Sequence, residues 1–525
     1  MTKEMNGEII IIGGGLGGSM AALSAAKLGK KVILTEETAR IGGQLTSQLV
    51  PPDEHKWIEQ FGCTRTYREF RNRVRAYYHH NYPLTAKAKQ ISRLNPGNAL
   101  VSRISHDPRV SLAVLHDMLA PYFHSGRITL LLQHKAEAAE TNGDEILAVT
   151  VRNLETNNLV TISGSIFIDA TECGDVLPLA GAEYVTGAES VNDTGEPHVL
   201  SRDSEPMDMQ SITHCFAVDY IEGENHTIEK PQQYKFWKSY QADFLEHKQL
   251  SWFGPDAATG KSKLFTLFPQ KGLFSLWEYR RALDKSLFEE GYANGDLSLI
   301  NWPQNDYWLG PIYEVSEEER LKHLKGARQL SLSLLYWMQT EAPREDGKTG
   351  FPGMRLRRDV AGTEDGLAMY PYIRESRRIK AEVRVKEQDI SADTRVNNGV
   401  NKVRDSVGIG SYHIDLHPTV VTNQLFYTLS LPFQIPLGAL LPIRMHNLIA
   451  GSKNIGATHI TNGCFRVHPV EWNIGESAGY LAAYAHEKGI EPRAVRQNEE
   501  QLDEFQSLLK KQGIELEWPH SVLIE

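Results

Sequence analysis

Cysteine is scarce in this chain. Four occur in 525 residues, Cys63, Cys173, Cys215 and Cys464, and no two are arranged as CxxC. That excludes a disulfide framework and favours free thiols in a reducing compartment. Long apolar runs are missing as well. The longest near the N-terminus, Ile9 to Ile12, ends in glycines and is too short for a secretory core. Nothing approaches the ~18 apolar residues of a membrane span. Basic excess is also absent. Lys and Arg number 56 against 66 Asp and Glu, for a net charge of −10, so nucleic acid and anionic membrane are not indicated as partners. These absences together predict a cytoplasmic protein of two or three domains that acts on a small molecule.

What is present begins at residue 8, in EIIIIGGGLGGSMAALSAAKLGKKVILTEE. A β-branched run, a GxGxxG turn at Gly13, Gly15 and Gly18 (with Gly17 between), an Ala-rich helix and a second strand ending at Glu36 and Glu37 follow in order. Each part has a physical task. Gly13 permits the tight turn, Gly15 lets backbone approach a pyrophosphate, and Gly18 lets helix and strand touch. The helix N-terminus offers free N–H groups to phosphate. An acid about twenty residues on accepts hydrogen bonds from ribose hydroxyls and disfavours a 2′-phosphate. No second strand–GxGxxG–helix unit follows. VGIGSYH (407–413) has two glycines but no helix after them, so no separate NAD(P) domain is expected.

The remaining chain reads in blocks. A polar, basic and aromatic segment, about 50–106, interrupts the dinucleotide fold and contains a helix. Residues 110–126 read as an amphipathic helix and 127–133 as the third parallel strand. ILAVTVRN and NLVTISGS form a hairpin pattern. A buried strand at 166–170 then enters a turn of small and acidic residues. Five of the nine tryptophans fall between 237 and 308, in a block that carries no dinucleotide motif. They are either core or a stacking surface for a sugar or aromatic substrate. A strand at 448–450 and a helix from about Val470 return to dinucleotide-fold texture.

Downstream of the acid, ARIGGQLTSQ places Arg40, Gly42, Gly43 and Gln44 in a pattern that resembles the RxGG extension of FAD-binding two-dinucleotide-fold flavoproteins. IIIIGGGLGG, FIDATECGD, YPYIRESRRI, DSVGIGSYHIDLH, IPLGALLP and LIAGSKNIGATHITNGCFRVHPVEWNIGESAG extend the likeness along nearly the whole chain. The sequence resembles the FAD-dependent oxidoreductases often grouped as xanthan lyase-like flavoproteins. The resemblance implies an α/β fold: a discontinuous Rossmann-like FAD domain (1–204 and 426–490), an inserted mixed α+β substrate domain (205–425), and a C-terminal helix and tail (491–525). It implies FAD as cofactor, held further by Thr171, Gly174 and Asp175 and by Gly451, Ser452, Gly475 and Glu476. Family members often carry RMEP where this chain has RVHP, so His468 stands where an acid is usual.

His459, Cys464 and His468 fit no zinc spacing, and Cys464 has no sign of a paired base. With Arg466 they are expected near the flavin, where Gly475 is read as the start of a helix whose N–H groups stabilise reduced flavin. His459 and His468 are candidates for the base that takes a substrate proton, and each has a structural alternative. His413, Asp415 and His417 recur at period two, so on a strand they share a face. They suit a pocket wall, an acid–base pair or an exposed surface. Arg374 and Arg377, read with Arg378 as a helical cluster, and Trp472 complete the substrate candidates. The expected reaction is hydride removal from a C–H beside O or N, with electrons passed to oxygen or another acceptor. A reductase fed by NAD(P)H or a carrier protein, and a non-catalytic flavin-binding protein, are the alternatives.

Overall fold

The computed structural model describes residues 3–200, 202–256, 259–395 and 401–519. Its centre is a five-stranded parallel sheet in the order Leu448–Ala450, Ile166–Asp169, Ile9–Ile12, Val32–Glu36, Ile128–Leu132. Ile9–Ile12 sits in the middle, at most 1% exposed at every residue. That burial on both faces is what a continuous β-branched run requires. The edge strand Leu448–Ala450 comes from the far end of the chain.

Helix Leu16–Lys27 packs on this sheet and is buried along almost its whole length. It is covered in turn by helix His468–Lys488. Small residues make that crossing close: a Cβ on Gly475 would lie 2.1 Å from the Gly17 carbonyl, and one on Gly479 2.2 Å from that of Ala21. Gly475 is therefore a helix-crossing residue two turns inside its helix. The expectation that it opens a helix toward the flavin is corrected. Gly15 is the N-cap where the glycine turn meets its helix, whereas Gly17, already inside that helix, and Gly475 serve the crossing.

A second sheet runs Lys3–Asn6, Leu159–Ser163, Glu145–Asn153, His134–Asn142. The last three strands form the expected antiparallel pattern with one strand more, while Lys3–Asn6 joins in parallel. Its sequence, KEMN, has no alternation to announce a strand; pairing alone recruits it.

The region rich in tryptophan has its own antiparallel sheet, Arg281–Leu283, Leu297–Ile300, Phe216–Tyr220, Met354–Leu356. Helix Glu317–Thr340 lies in the same region, started by Ser316, whose side chain accepts the Glu319 N–H. Trp237, Trp277 and Trp302 are buried in this second core. Residues 374–377 are not helical, and Arg378–Ile379 pairs with Tyr184–Val185 as a short strand. The reading of Arg374, Arg377 and Arg378 as one helical cluster is thus corrected; extended backbone sends the three guanidiniums to different partners. Trp472 is also corrected. It is wholly buried among Tyr67 and Phe70 and donates to the Thr66 hydroxyl at 2.8 Å. After helices Pro492–Gln497 and Glu499–Gln512, Trp518 anchors the segment that follows by donating to the Phe433 carbonyl. The end of the expected tail, 520–525, lies outside the described residues.

Candidate functional site

Two adjoining features carry chemistry. The first is a narrow cleft at the C-terminal ends of the central strands, the place where parallel sheets bind ligands. Gly13 has φ +98°, and a Cβ there would fall 2.4 Å from the Ala170 backbone, so only glycine makes this turn. Glu36 ends its strand with Oε2 accepting the Gly14 N–H at 2.9 Å. Its Oε1 accepts the Thr38 N–H and hydroxyl at 2.9 and 2.7 Å. Burial pushes its carboxyl up to about 8, opposed by the Thr38 hydrogen bonds. Glu37 pairs with Lys135 at 3.1 Å. Gly42 and Gly43 both have positive φ and bring the chain back over Gly15.

Asp169, which the sequence reading did not single out, organises the opposite wall. Its Oδ1 accepts the Thr171 N–H and hydroxyl, and its Oδ2 accepts the Val176 N–H. Burial raises its pKa to about 7. Thr171 in turn accepts the Asp175 N–H, and Gly174 takes φ +65°. Gly451 N–H donates to the Asp169 carbonyl, and the Ser452 hydroxyl donates to Glu471 at 2.8 Å. Gln44 donates to the same Glu471 and to the Arg466 carbonyl. Lys453, wholly buried, pairs with Glu172 and lies 3.9 Å from Glu471. Arg40 points away and donates to the Val360 carbonyl at 2.9 Å, tying the two regions together. Glu476 is buried against Thr66 on the far face of its helix; it is a packing residue and not part of this wall.

The cleft fits a dinucleotide cofactor. A Cβ on Gly15 would meet the Glu172 carboxylate at 2.6 Å and no backbone closer than 4.0 Å. The Glu172 carboxylate, held by Lys453, stands on that side, so a pyrophosphate reaches the bare glycine only once this side chain turns aside. The Gln44 Oε1 and both amide atoms of Gln48 are buried without hydrogen-bond partners, a costly state that a bound polar ligand relieves.

The second feature is a cavity of about 770 Å³, lined from several parts of the chain. Strand Ile414–Leu416, paired with Phe426–Thr428, forms one wall. Ile414 and Leu416 are fully buried, while His413, Asp415 and His417 face the cavity, as period two predicts. His417 Nδ1 lies 2.6 Å from Asp306 Oδ2 and its Nε2 3.4 Å from Asp415 Oδ2. Asp306 also binds Arg374 at 2.8 Å and accepts the Thr213 hydroxyl. Arg466 donates to the Asp415 carbonyl at 2.8 Å and to the Tyr372 hydroxyl at 3.1 Å. Burial works against the Asp415 charge, but His417 and Arg466 overcome it and hold the carboxyl far below its ordinary range.

His413 is different. Its ring lies 4.6 Å from Tyr427 and 3.9 Å from Tyr412, and among the described residues no protein hydrogen bond reaches either nitrogen. Burial lowers its pKa, opposed by the nearby Asp415. Arg280 is a cavity residue that the sequence reading missed; it faces Asp53 at 3.3 Å. No spacing marked Arg280, Asp53 or Asp306.

The other two candidate bases lie elsewhere. His459 is buried, with Nδ1 2.9 Å from Glu375, and despite desolvation this carboxylate raises its pKa. It is an ion-pair partner set apart from the cavity lining. His468 Nδ1 accepts the Asp53 N–H at 3.0 Å, and its Nε2 faces the Val50 carbonyl at 3.3 Å. Burial holds it neutral, with a pKa of about 4, and its lone pair is already committed. Arg377 binds Asp175, Glu314 and the Cys173 carbonyl, bridging cleft wall and second region. Cys464 is buried, its Sγ donating to the Thr461 carbonyl. No group of three metal-ligating side chains is placed to hold an ion among the described residues.

A parallel sheet with a glycine turn at its centre and an acid at the end of the next strand has the form of a dinucleotide-binding domain. The model of the FAD dependent oxidoreductase family matches residues 8–509, and the chain belongs to that family. FAD is accordingly its cofactor. No curated protein matches the sequence. Among solved structures, a geranylgeranyl bacteriochlorophyll reductase-like protein from Thermoplasma acidophilum is similar at 11% identity and TM-score 0.31, over 97% of this chain and 85% of that one. E. coli quinol fumarate reductase is similar at 9% identity and TM-score 0.32, over 97% and 74%. L-proline dehydrogenase from P. horikoshii is similar at 16% identity and TM-score 0.19, over 37% of this chain; the match spans only 26% of that protein.

Proposed function

We propose that the protein oxidises a C–H bond adjacent to oxygen or nitrogen in a small polar substrate held in the large cavity, with His413 accepting the substrate's O–H or N–H proton. One observation carries this reading: His413 lines the cavity, and among the described residues no protein hydrogen bond reaches either ring nitrogen, while burial lowers its pKa. A general base needs an unprotonated nitrogen and room for the proton donor.

FAD supplies a two-electron acceptor for hydride when bound. The chain's own residues do the rest. Gly13, Gly15 and the N-terminus of helix Leu16–Lys27 receive phosphate, Glu36 receives ribose, and Gln44 and Gln48 offer amide groups along the cleft. Asp415 stays ionised and favours the imidazolium that His413 becomes. Arg466 braces this wall by joining Asp415 to Tyr372, whose ring also lies 5.1 Å from the Arg374 guanidinium. A guanidinium cannot act as base near neutral pH, so Arg466 holds substrate and wall in place.

The test is anaerobic mixing of holoenzyme with a panel of alcohols, amines and polyols while flavin absorbance is followed. Bleaching by a donor, with the proton released or retained according to pH, supports the reading. Flavin that stays oxidised with every donor but is reduced by NAD(P)H would reverse the direction of the reaction.

A further inference from the structure

We propose that the occupant of the large cavity is a neutral polyhydroxylated ring compound, a sugar or a glycoside. This rests on the cavity being the substrate site. Three features of the lining support it.

The first is charge. Five acidic side chains and five lysines or arginines line the cavity, so it has no net preference for an ion. The deepest of them are matched in pairs: Arg374 with Asp306 at 2.8 Å, Arg280 with Asp53 at 3.3 Å, and Arg466 with Asp415 at 3.5 Å. At each of these three pairs a carboxylate or ammonium ligand would meet a like charge beside the opposite one.

The second is the hydrogen-bonding inventory. Buried atoms on lining residues lack hydrogen-bond partners, and they are of both kinds. Gln304 Oε1 is an acceptor; the Nε–H groups of Arg280, Arg374 and Arg466 are donors. A carboxylate only accepts and an ammonium only donates. A hydroxyl does both, and adjacent hydroxyls on a ring satisfy a donor and an acceptor side by side.

The third is shape. Trp57, Trp308, Tyr279, Tyr412 and Tyr427 supply flat apolar surface between these polar groups. That suits the C–H faces of a pyranose. The volume of about 770 Å³ exceeds what one ring needs.

Binding is measured on holoenzyme photoreduced under argon, which cannot turn the ligand over, by tryptophan fluorescence. The ligands are neutral mono- and disaccharides and aryl glycosides, against uronic acids and amino sugars of equal size. At least one neutral sugar is expected to bind at least tenfold more tightly than its acidic and basic counterparts, and Trp308→Ala to weaken it about tenfold. Asp53→Asn leaves one positive charge in excess and should shift preference toward the uronic acid. Lys263→Gln, at a half-exposed position with little bearing on folding, should shift it toward the amino sugar. Equal or tighter binding of the charged sugars by the wild type overturns the proposal, as does no binding of any neutral sugar. If a simple alcohol or amine bleaches the flavin while no sugar binds, the oxidoreductase reading stands and the sugar assignment falls. If sugars bind but no donor bleaches the flavin, the oxidation reading falls instead.

Discussion

The cleft and the cavity are built by opposite strategies. The cleft is made mostly of backbone: glycines with positive φ, strand ends, a helix N-terminus, and a few acids that hold turns. Its glycines leave the main chain open at the turns. The cavity is made of long side chains drawn from distant segments, with the backbone set back. A backbone site tolerates little substitution at few positions. A side-chain site spreads its chemistry over many positions and changes specificity without changing fold.

The sharpest way to break this contrast is Gly15→Val. A Cβ there meets the end of the Glu172 side chain, paired with Lys453, and no backbone closer than 4.0 Å, so the fold should persist while the pyrophosphate loses its approach. The expected outcome is folded, colourless protein by circular dichroism and visible absorbance; yellow protein would mean that the cleft is not backbone-read. Next in size is His413→Ala, which should slow flavin reduction by about 10² to 10⁴ with an unaltered FAD spectrum. His459→Ala should leave that rate nearly unchanged and instead lower stability by roughly 1–3 kcal/mol, since Glu375 loses one of its partners. The opposite pattern in stopped-flow traces and urea midpoints would return the base to His459. Glu36→Ala should weaken FAD binding by roughly 1–3 kcal/mol, read by titration of apoprotein.

The smallest change sharpens the comparison through pH. His413 must be neutral to act, and burial lowers its pKa, so the reduction rate should be flat near pH 7. It should fall only on acidification below the ordinary histidine value of about 6.5. His55, His106 and His468 are buried with pKa values of about 4. Their unfolded forms bind protons first, so stability present above about pH 6.5 is lost as pH falls toward 4, at most about 3 kcal/mol per residue. The carboxyls of Glu36 and Asp169, raised to about 8 and about 7, act in the opposite sense over this range, so the histidine contribution is read as a difference. Between pH 7 and pH 5 the urea midpoint of the wild type should fall relative to that of His106→Asn; no relative fall would contradict the sign.

The cleft was largely legible in the sequence for the reason it is backbone-built. Glycine requirements, β-branched runs and an acid at fixed spacing are local, and Gly13, Gly18, Glu36 and Thr171 fall into place. The wall His413–His417 was legible too, because a strand translates period two into a shared face. Gly475 misled because a glycine near a helix start and one at a helix crossing look alike until the partner helix is known. His459 and His468 misled for a related reason. Proximity in sequence to a flavin-facing turn says nothing about Glu375 or the Asp53 amide, which lie far along the chain and engage Nδ1 of His459 and of His468. Arg280, Asp53 and Asp306 belong to no local pattern; only tertiary folding brings them together.

The edge strand Leu448–Ala450 has a consequence for biosynthesis. About 280 residues of chain separate it from the strand it pairs with, Ile166–Asp169. At roughly 5–20 residues per second, tens of seconds of translation pass before that partner exists. Throughout that interval the apolar strand Ile166–Asp169 presents an unpaired edge on the nascent chain, a template for wrong pairing. Helix His468–Lys488, which covers helix Leu16–Lys27, emerges later still. The central sheet is thus begun at Ile9–Ile12 and closed only about 440 residues later, at Leu448–Ala450.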